Sequence, residues 1–524
     1  MFKKLAKNRF FWSIAILFGL FLIAVLVAQL KAKDAVSDFL ERKLPQHVQL
    51  KYGDIDVNVL SGTIALQDIE LDFYDRDSML LNTAVIMDAI SLEDLGYWDF
   101  LVNEKIDVSR LLLEKPQVRH YPYRVLSSED AEPKGVVQLL KVIDVGELAV
   151  QNGRLHLLQQ SNDSVLLAIG DFNFSVTDVI TGPERITKKI PVDYREYELK
   201  ADSLYVNLGD YEELNAASVY WNPAGAKVNG LGLRSKYDKA KLSQRLTAER
   251  DHIELDIPKM ELDSIRFGFK KDTFFIATGM GTIHRPALEM YRDKLIADDA
   301  TTKDLYSRSI RQLPIHLDVP KIKIVDGNVV YSERVADVEN PGKLSFENLN
   351  ATLANISNTY PSGEKTKIEA ETEFMGYAKM TLDWSFDTND RNDAFLAKGT
   401  VFNFDTESIN PFLVSNLRAK ASGTIDELYF TISGNTSTSS GDMKMKYDDF
   451  KFQVLKKNRL GINKLLTAVG NIFVNSGETT DAEGYRYGDI EVERDPTKSF
   501  FSYLWMNVRD GTVSTLTGDG KKGD

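Results

Sequence analysis

The chain has no cysteine among its 524 residues. Disulfides, thiolate metal sites and cysteine nucleophiles are thereby excluded, although this absence does not identify a compartment. Histidine is scarce as well: His47, His120, His156, His252, His284 and His316 are scattered singly, and none forms an HExxH or similar ligand pair. Isolated histidines in strand-like surroundings suit structural roles better than a metal site. There is no Walker loop and no GxSxG elbow. Gly230-Leu231-Gly232 and Gly279-Met280-Gly281 lack the third glycine of a dinucleotide loop and are read as turns. The net charge is −13, with no basic stripe beyond the N-terminus, which argues against a nucleic-acid partner. Acid pairs such as Asp54/Asp56 and Glu371/Glu373 recur at every-second spacing. That spacing puts them on the wet face of a strand rather than astride a glycosidic bond. No catalytic residue, metal or cofactor is expected, and the chain is not expected to be an enzyme.

What is present is apolar residue in quantity, 43% of the chain, with 10% aromatic, ample for ordered structure. Lys3, Lys4, Lys7 and Arg9 precede the run Phe10–Leu30, FFWSIAILFGLFLIAVLVAQL. A run of about twenty nearly uncharged residues is long enough to cross a hydrocarbon core about 30 Å thick. The basic residues hold the N-terminus in the cytoplasm and leave the bulk of the chain outside, with Trp12 suited to the interface. A cleaved signal peptide is the competing reading, but the run is longer than a typical signal core. Lys31–Leu44 then places Ala32, Ala35, Val36, Phe39, Leu40 and Leu44 on one helical face, ended by Pro45.

Most of the remainder reads as strand. Leu317–Ile356 alternates at Ile322 and Ile324, meets Asp326-Gly327-Asn328, and alternates again at Val329 and Tyr331. Ile143–Val179 repeats the pattern, with Leu148 and Val150 before Asn152-Gly153 and Leu155 and Leu157 after it. Shorter echoes open at Ile106 and Leu255. Asn-Gly or Asp-Gly between alternating runs predicts a hairpin, because both turn residues must accept positive φ. Four echoes predict an extended repeating sheet. The cleanest alternation is Ala378, Met380, Leu382, Trp384 and Phe386. Helix is expected between Pro286 and Pro314, at Leu460–Phe473 and, as loop or exposed helix, at Arg234–Glu249, with an aromatic segment at Phe500–Trp505. The fold class is therefore mainly β with a few helices.

The ordered series SGTIALQDIELDF, AVIMDAISLEDL and EKIDVSRLLLEKPQVRHY, after a basic tail, a single span and a short helix, resembles the N-terminal part of AsmA-like proteins. These are inner-membrane-anchored periplasmic proteins of Gram-negative bacteria. The matching positions are Gly62, Leu66, Ile69, Leu71, Leu92, Ile106, Val108, Leu111, Pro116 and Val118. SINPFLVSNLRAKASGTIDELYFTISG and SSGDMKMKYDDFKFQVL resemble the C-terminal portion more specifically. They match at Asn410, Pro411, Gly423, Ile425, Leu428, Phe430, Ile432, Gly441, Met443, Met445, Tyr447 and Phe452. The Pro122–Lys134 linker departs from the pattern.

Alternation alone does not separate two sheets burying each other's apolar faces from one curved sheet whose apolar side stays open, and on the residues alone ordinary core packing is the favoured reading. The resemblance implies the second, since AsmA-like proteins are similar to TamB and to chorein-type bridge-like lipid-transfer proteins, which carry lipid along an apolar β-groove. It implies an N-terminal transmembrane helix followed by an elongated, curved, groove-like sheet. The groove candidates are Leu148, Val150, Leu155, Leu157, Ile322, Ile324, Val329, Tyr331, Met380, Leu382, Trp384, Phe386, Phe430, Ile432, Met443 and Met445, and the membrane anchor is bounded by Phe10, Trp12 and Leu30. The expected organisation is a cytoplasmic tail (1–9), signal-anchor (10–30), AsmA-like α+β region (31–125), repeating sheet (126–285), helical insertion (286–314), AsmA-like β region (315–456), and amphipathic helix with tail (457–524). Expected partners are the inner membrane, lipid ligands, and the outer membrane or envelope-assembly proteins at the C-terminal end. The alternative is an envelope scaffold for outer-membrane proteins, with a filled core and no lipid.

Overall fold

The computed structural model describes residues 47–58, 61–75, 78–96, 105–122, 142–185, 188–336, 340–454 and 480–521. The expected span with Phe10, Trp12 and Leu30, the helix at Lys31–Leu44 and the segment Leu460–Phe473 lie outside these residues. Among the described residues, no helix is long and apolar enough to cross a membrane. The protein is mainly β, with 25 strands assigned to one large sheet. Among the described residues, helix is confined to α1 (Lys239–Arg245), α2 (Tyr306–Arg311), a short run containing α3 (Asn410–Phe412), and α4 (Phe500–Thr517). The chain divides into two compact units, Met1–Gly209 with Glu213–Leu231 and Ser264–Phe274, and Asp210–Glu212 with Gly232–Asp263 and Phe275–Asp524.

In the first unit, β1 (Val48–Lys51) and β2 (Asp54–Asn58) both pair antiparallel with β3 (Thr63–Tyr74). β4 (Leu81–Leu95) follows, then β5 (Lys105–Glu114) and β6 (Gln117–His120), one strand interrupted in the middle. These run parallel to β7 (Val142–Leu158), which begins an antiparallel series through β8 (Val165–Thr181) and β9 (Glu196–Asn207). β10 (Glu212–Ala216) and β11 (Ser218–Asn222) both pair with β9, and β12 (Gly225–Ser235) pairs with β11.

The second unit repeats that plan. β13 (Asp251–Asp263) pairs with β16 (Met280–His284) and β17 (Ala287–Asp293), again one interrupted strand, which lies parallel to β18 (His316–Arg334). β14 (Arg266–Lys270) and β15 (Thr273–Ala277) intervene in sequence. From β18 the ladder is antiparallel in chain order: β19 (Gly342–Ser357), β20 (Lys365–Phe374), β21 (Ala378–Asp387), β22 (Phe395–Asp405), β23 (Ala419–Gly434), β24 (Thr438–Val454) and β25 (Arg486–Glu493). The expected helical insertion at 286–314 is corrected here. Ala287–Asp293 is strand β17, because its alternation lets it pair with both β13 and β18, and only α2 is helical.

The predicted hairpins at Asn152-Gly153 and Asp326-Gly327 are also corrected. Both dipeptides lie inside single strands, β7 of 17 residues and β18 of 19 residues. Asn152 and Asp326 take left-handed φ values of 52° and 54°, and the ladder register slips at Gly153 and Gly327. One inserted residue bends a strand without reversing it. The neighbours kink at the same level. Asp171 (φ 43°) lies in β8 and Asn348 (φ 52°) in β19. Lys115 (φ 47°) precedes Pro116 between β5 and β6, and Arg285 (φ 49°) precedes Pro286 between β16 and β17.

Matching hydrogen bonds repair the two breaks. Lys115 N–H donates to Gln151 O at 2.8 Å and Arg154 N–H to Pro116 O at 2.7 Å; Arg285 N–H donates to Val325 O and Asn328 N–H to Pro286 O, both at 2.7 Å. The kinked residues find side-chain acceptors: Asn152 N–H donates to Asn173 Oδ1 at 3.1 Å, and Asp326 N–H to Asn350 Oδ1 at 3.3 Å. The repeat seen in the sequence is thus one kinked module, present once in each unit. Asn and Asp suit the left-handed position in a bulge for the reason they suit it in a turn. Asn152→Gly is expected to be tolerated, whereas Asn152→Val is expected to destabilise by about 1–2 kcal/mol, read from urea midpoints.

The core of the first unit gathers Ile55, Leu66, Ile69, Leu71, Ile90, Leu92, Leu111 and Ile143. His120 lies deep beside it, 1% exposed, with Nδ1 2.8 Å from Thr83 Oγ1. Burial pushes its pKa down from 6.5 to about 4. Above pH 6.5 the ring is neutral folded or unfolded; as pH falls to 4 only the unfolded chain gains the proton. The folded state should lose roughly 3 kcal/mol across that window. His120→Gln is expected to remove this part of the pH dependence, measured by chemical unfolding at pH 7, 5.5 and 4.

An apolar face carried from strand to strand

Side chains alternate along a strand, so the ladder register decides whether apolar positions on neighbouring strands line up. In the first unit they do. Ile55, Leu66, Ile90, Leu113, Val150, Phe174, Leu199 and Trp221 are successive cross-strand partners from β2 to β11. A parallel row joins Val57, Ile64, Leu92, Leu111, Leu148, Val176 and Tyr197. Beyond the kink a third joins Leu50, Leu71, Val85, Val118, Leu155, Ile169 and Leu204. Ile55, Leu66 and Ile90 are buried, while Leu113, Val150, Phe174, Leu199 and Trp221 are half-buried. In that row burial falls from β5 onward; in the two parallel rows Leu111, Leu155 and Val176 stay buried beside half-buried Leu148, Tyr197, Ile169 and Leu204.

The second unit shows the reverse gradient. One row runs Leu262, Gly281, Ile322, Leu353, Ile368, Trp384, Ala397, Ile432, Gly441 and Ile490. Its neighbour runs Met260, Ile283, Ile324, Ala351, Ala370, Leu382, Gly399, Phe430 and Met443. Positions from β13 to β20 are half-buried apart from Gly281, and those on β22 to β24 are buried apart from Gly441. Gly399 is required under Phe430, since a Cβ there would lie 2.3 Å from the ring.

Helices close that end. The Phe500 ring stacks on Trp384 at 4.2 Å and 13°, Tyr306 meets Trp384 edge-on at 5.3 Å, and Phe395 meets Phe500 at 5.2 Å. α2 is tied down by Asp393, 1% exposed, which accepts from Ser307 Oγ at 2.9 Å and Arg311 Nη2 at 2.8 Å and pairs with Arg308 Nε at 3.3 Å. α4 lies close to the strands: a Cβ on Gly511 would come within 2.8 Å of Ile490, and one on Gly488 within 2.4 Å of the Thr515 backbone nitrogen. At its C-terminal end buried Arg486 donates to Thr515 O at 3.2 Å and Gly518 O at 2.9 Å, a cation on the negative pole of the helix. Gly518–Lys521 is held there, with Tyr487 N–H donating to Gly520 O at 3.1 Å.

The sequence candidates separate accordingly. Leu148, Val150, Ile322, Ile324, Val329, Tyr331, Met380 and Leu382 are half-buried. Leu155 and Leu157 are 8% exposed on the far side of the β7 kink. Trp384, Phe386, Phe430, Ile432, Met443 and Met445 are all buried in the packed cluster that includes Phe500 and Tyr503. The aromatic segment Phe500–Trp505 is the start of α4 on that cluster, with Phe501 alone strongly exposed at 56%.

Sequence reasoning missed an aromatic group in the first unit. Tyr197, Trp221 and Phe267 pack with centroids 5.1–5.7 Å apart, and burial pushes the Tyr197 phenol up to about 12. Tyr197 and Trp221 continue the two rows begun by Val57 and Ile55, a link visible only once the register is known. A charged fringe was missed too. Arg292 forks onto Asp251 at 2.7 and 2.6 Å, while Glu333 accepts from Tyr331 at 2.5 Å and from Asn416 at 2.8 Å. Among the described residues no group of His, Asp and Glu is arranged to hold a metal ion.

No protein-family model matches the chain, and no curated protein matches its sequence. Fold and site together define a mainly β protein in which each unit carries cross-strand rows of apolar residues, half-buried in part and buried in part. Removing side chains from the two parts should have different costs. Ile432→Ala, in the filled region, is expected to destabilise by roughly 2–5 kcal/mol, and Ile324→Ala, half-solvated, by less than about 1.5 kcal/mol, compared by urea denaturation.

Proposed function

We propose that the chain is a membrane-anchored, AsmA-like periplasmic protein that shields and conducts the acyl chains of a lipid along this apolar β-face, in support of outer-membrane lipid balance. The observation that carries the reading is the run of half-buried aliphatic and aromatic rows across β5–β11 and β13–β20, maintained through register changes that would otherwise break them. The resemblance described above supports it, with Phe10–Leu30 as the signal-anchor and the sheet as an elongated, curved groove.

Solvation supplies the mechanism. Each methylene kept from water is worth about 0.8 kcal/mol, so a two-tailed lipid is retained in an aqueous compartment only when both tails are covered. A uniform apolar trough makes successive positions nearly equal in energy, and the lipid slides with its headgroup in solvent. No side chain need react. A scaffold with a filled core is the second reading, favoured by the buried region beneath α2 and α4.

Lipid extraction and mass spectrometry of the purified, detergent-exchanged chain tests the choice. Phospholipid is expected in the unaltered protein and at least five-fold less in a folded Ile324→Asp, Leu382→Asp double variant. A lipid-free protein, or equal lipid in a folded variant, would leave the scaffold.

A further inference from the structure

The apolar rows of the second unit do not end where burial begins. Half-buried Ile368 and Leu382 are followed on the next strands by Trp384, Ala397 and Ile432 and by Gly399, Phe430 and Met443, in unbroken register beneath α4. The helix occupies the surface that anything following those rows would reach next. Its hold differs from that of an aliphatic core. Two rings, Phe500 and Tyr503, pack on Trp384 and Phe395. Further along, the buried positions are Asn507, Gly511 and Thr515, small or polar, with aliphatic Leu516 buried only in the last turn, and Ser439 Oγ donates to Asn507 Oδ1 at 2.7 Å. Close by, Trp384 Nε1 and Arg494 Nε are enclosed without a hydrogen-bond partner among the described residues. An enclosed donor without an acceptor weakens the state that encloses it. The C-terminal end is held through Arg486, which donates to Thr515 O and Gly518 O.

We propose that α4 is a built-in competitor for the acyl chain. Its first turns cover the last stretch of the apolar face, and a lipid tail advancing along the rows displaces them while the helix pivots about its Arg486-held end. The occupant is a long acyl chain, since the rows that lead to the covered stretch are aliphatic and uncharged throughout. This inference rests on the acyl-binding reading above.

The absence of native cysteine makes a lock straightforward. In the full-length Ser439→Cys, Asn507→Cys variant, oxidation staples α4 to β24 and reduction frees it. The probe is a phosphatidylcholine with a photoactivatable acyl chain in phosphatidylethanolamine–phosphatidylglycerol vesicles, with labelled peptides mapped by mass spectrometry. Reduced protein should be labelled on β18–β20 and on β21–β24. Oxidised protein should keep the first signal and lose at least ten-fold of the second, with recovery on re-reduction. Phe500→Ala in the otherwise unaltered chain should raise labelling of β21–β24 at least two-fold, which keeps the test decisive if the thiols do not pair. With the disulfide confirmed by intact mass, equal labelling of β21–β24 in both redox states overturns the proposal, as does unchanged labelling in Phe500→Ala where the thiols do not pair, or label confined to β18–β20 in every form, and each leaves the acyl-binding reading standing. Absence of label anywhere overturns that reading and this one together.

Discussion

A β-strand has a side-chain period of two, so inserting one residue sends every later side chain to the opposite face. The kinks of this protein insert such a residue in the middle of long strands, and the apolar pattern shifts by one at the same place. In β7 the inward positions are Leu148 and Val150 before Asn152, then Leu155 and Leu157 after it. In β18 they are Ile322 and Ile324 before Asp326, then Val329 and Tyr331. The bent strand therefore keeps one greasy side and one wet side over its whole length. Without this matching of backbone insertion to sequence parity, half of each strand would turn its aliphatic residues outward, and neither unit would have a face to cover or to use.

The outer side shows what that arrangement leaves to water. On β20, Lys365, Lys367, Glu369 and Glu371 are exposed, while Ile368 and Ala370 take the inner positions. On β23 and β24 the outward pairs are Glu427 with Lys446 and Tyr429 with Lys444. Such outward pairs, reached by solvent, add little to stability. The charges taken inward have a different effect. Asp393 beneath α2 and Arg486 at the end of α4 are each met by several donors or acceptors, so each helix has one seat on the sheet and loses its partners elsewhere.

Strand content and the existence of a repeated unit were legible in the sequence, because alternation survives at short range: Ile143–Val179 is β7 with β8, and Leu317–Ile356 is β18 with β19. The turns were placed wrongly for a physical reason. Asn-Gly and Asp-Gly report tolerance of positive φ, which a bulge needs as much as a hairpin does. The parity slip from Val150 to Leu155 does not discriminate, since a two-residue hairpin at Asn152-Gly153 would also set Val150 opposite Leu155 on one face; the distinction lies in the non-local pairing of both halves of β7 with β8. The helical reading of Ala287–Asp293 failed because residues between two prolines were judged by spacing alone, while the pairing with β13 and β18 is non-local. Open and filled stretches of the face were indistinguishable for the same reason. Ile324 and Met443 belong to one row, and only the remote helix α4 makes one half-buried and the other buried.

That contrast bears directly on how the face works. An aliphatic row left half in water forgoes part of the free energy it would gain by full coverage, roughly 25 cal/mol for each Å² still exposed. Where α4 covers the rows it uses aromatic rings and small polar residues, as at Phe500, Asn507 and Thr515, and where no described residue covers them the rows stay aliphatic and in register. A sheet shaped only for stability would extend its cover over Ile322, Ile324 and Leu382. Under the proposed reading, an acyl chain covering those positions would supply the missing burial, which couples the free energy of finishing the core to the arrival of an apolar partner without a chemical bond.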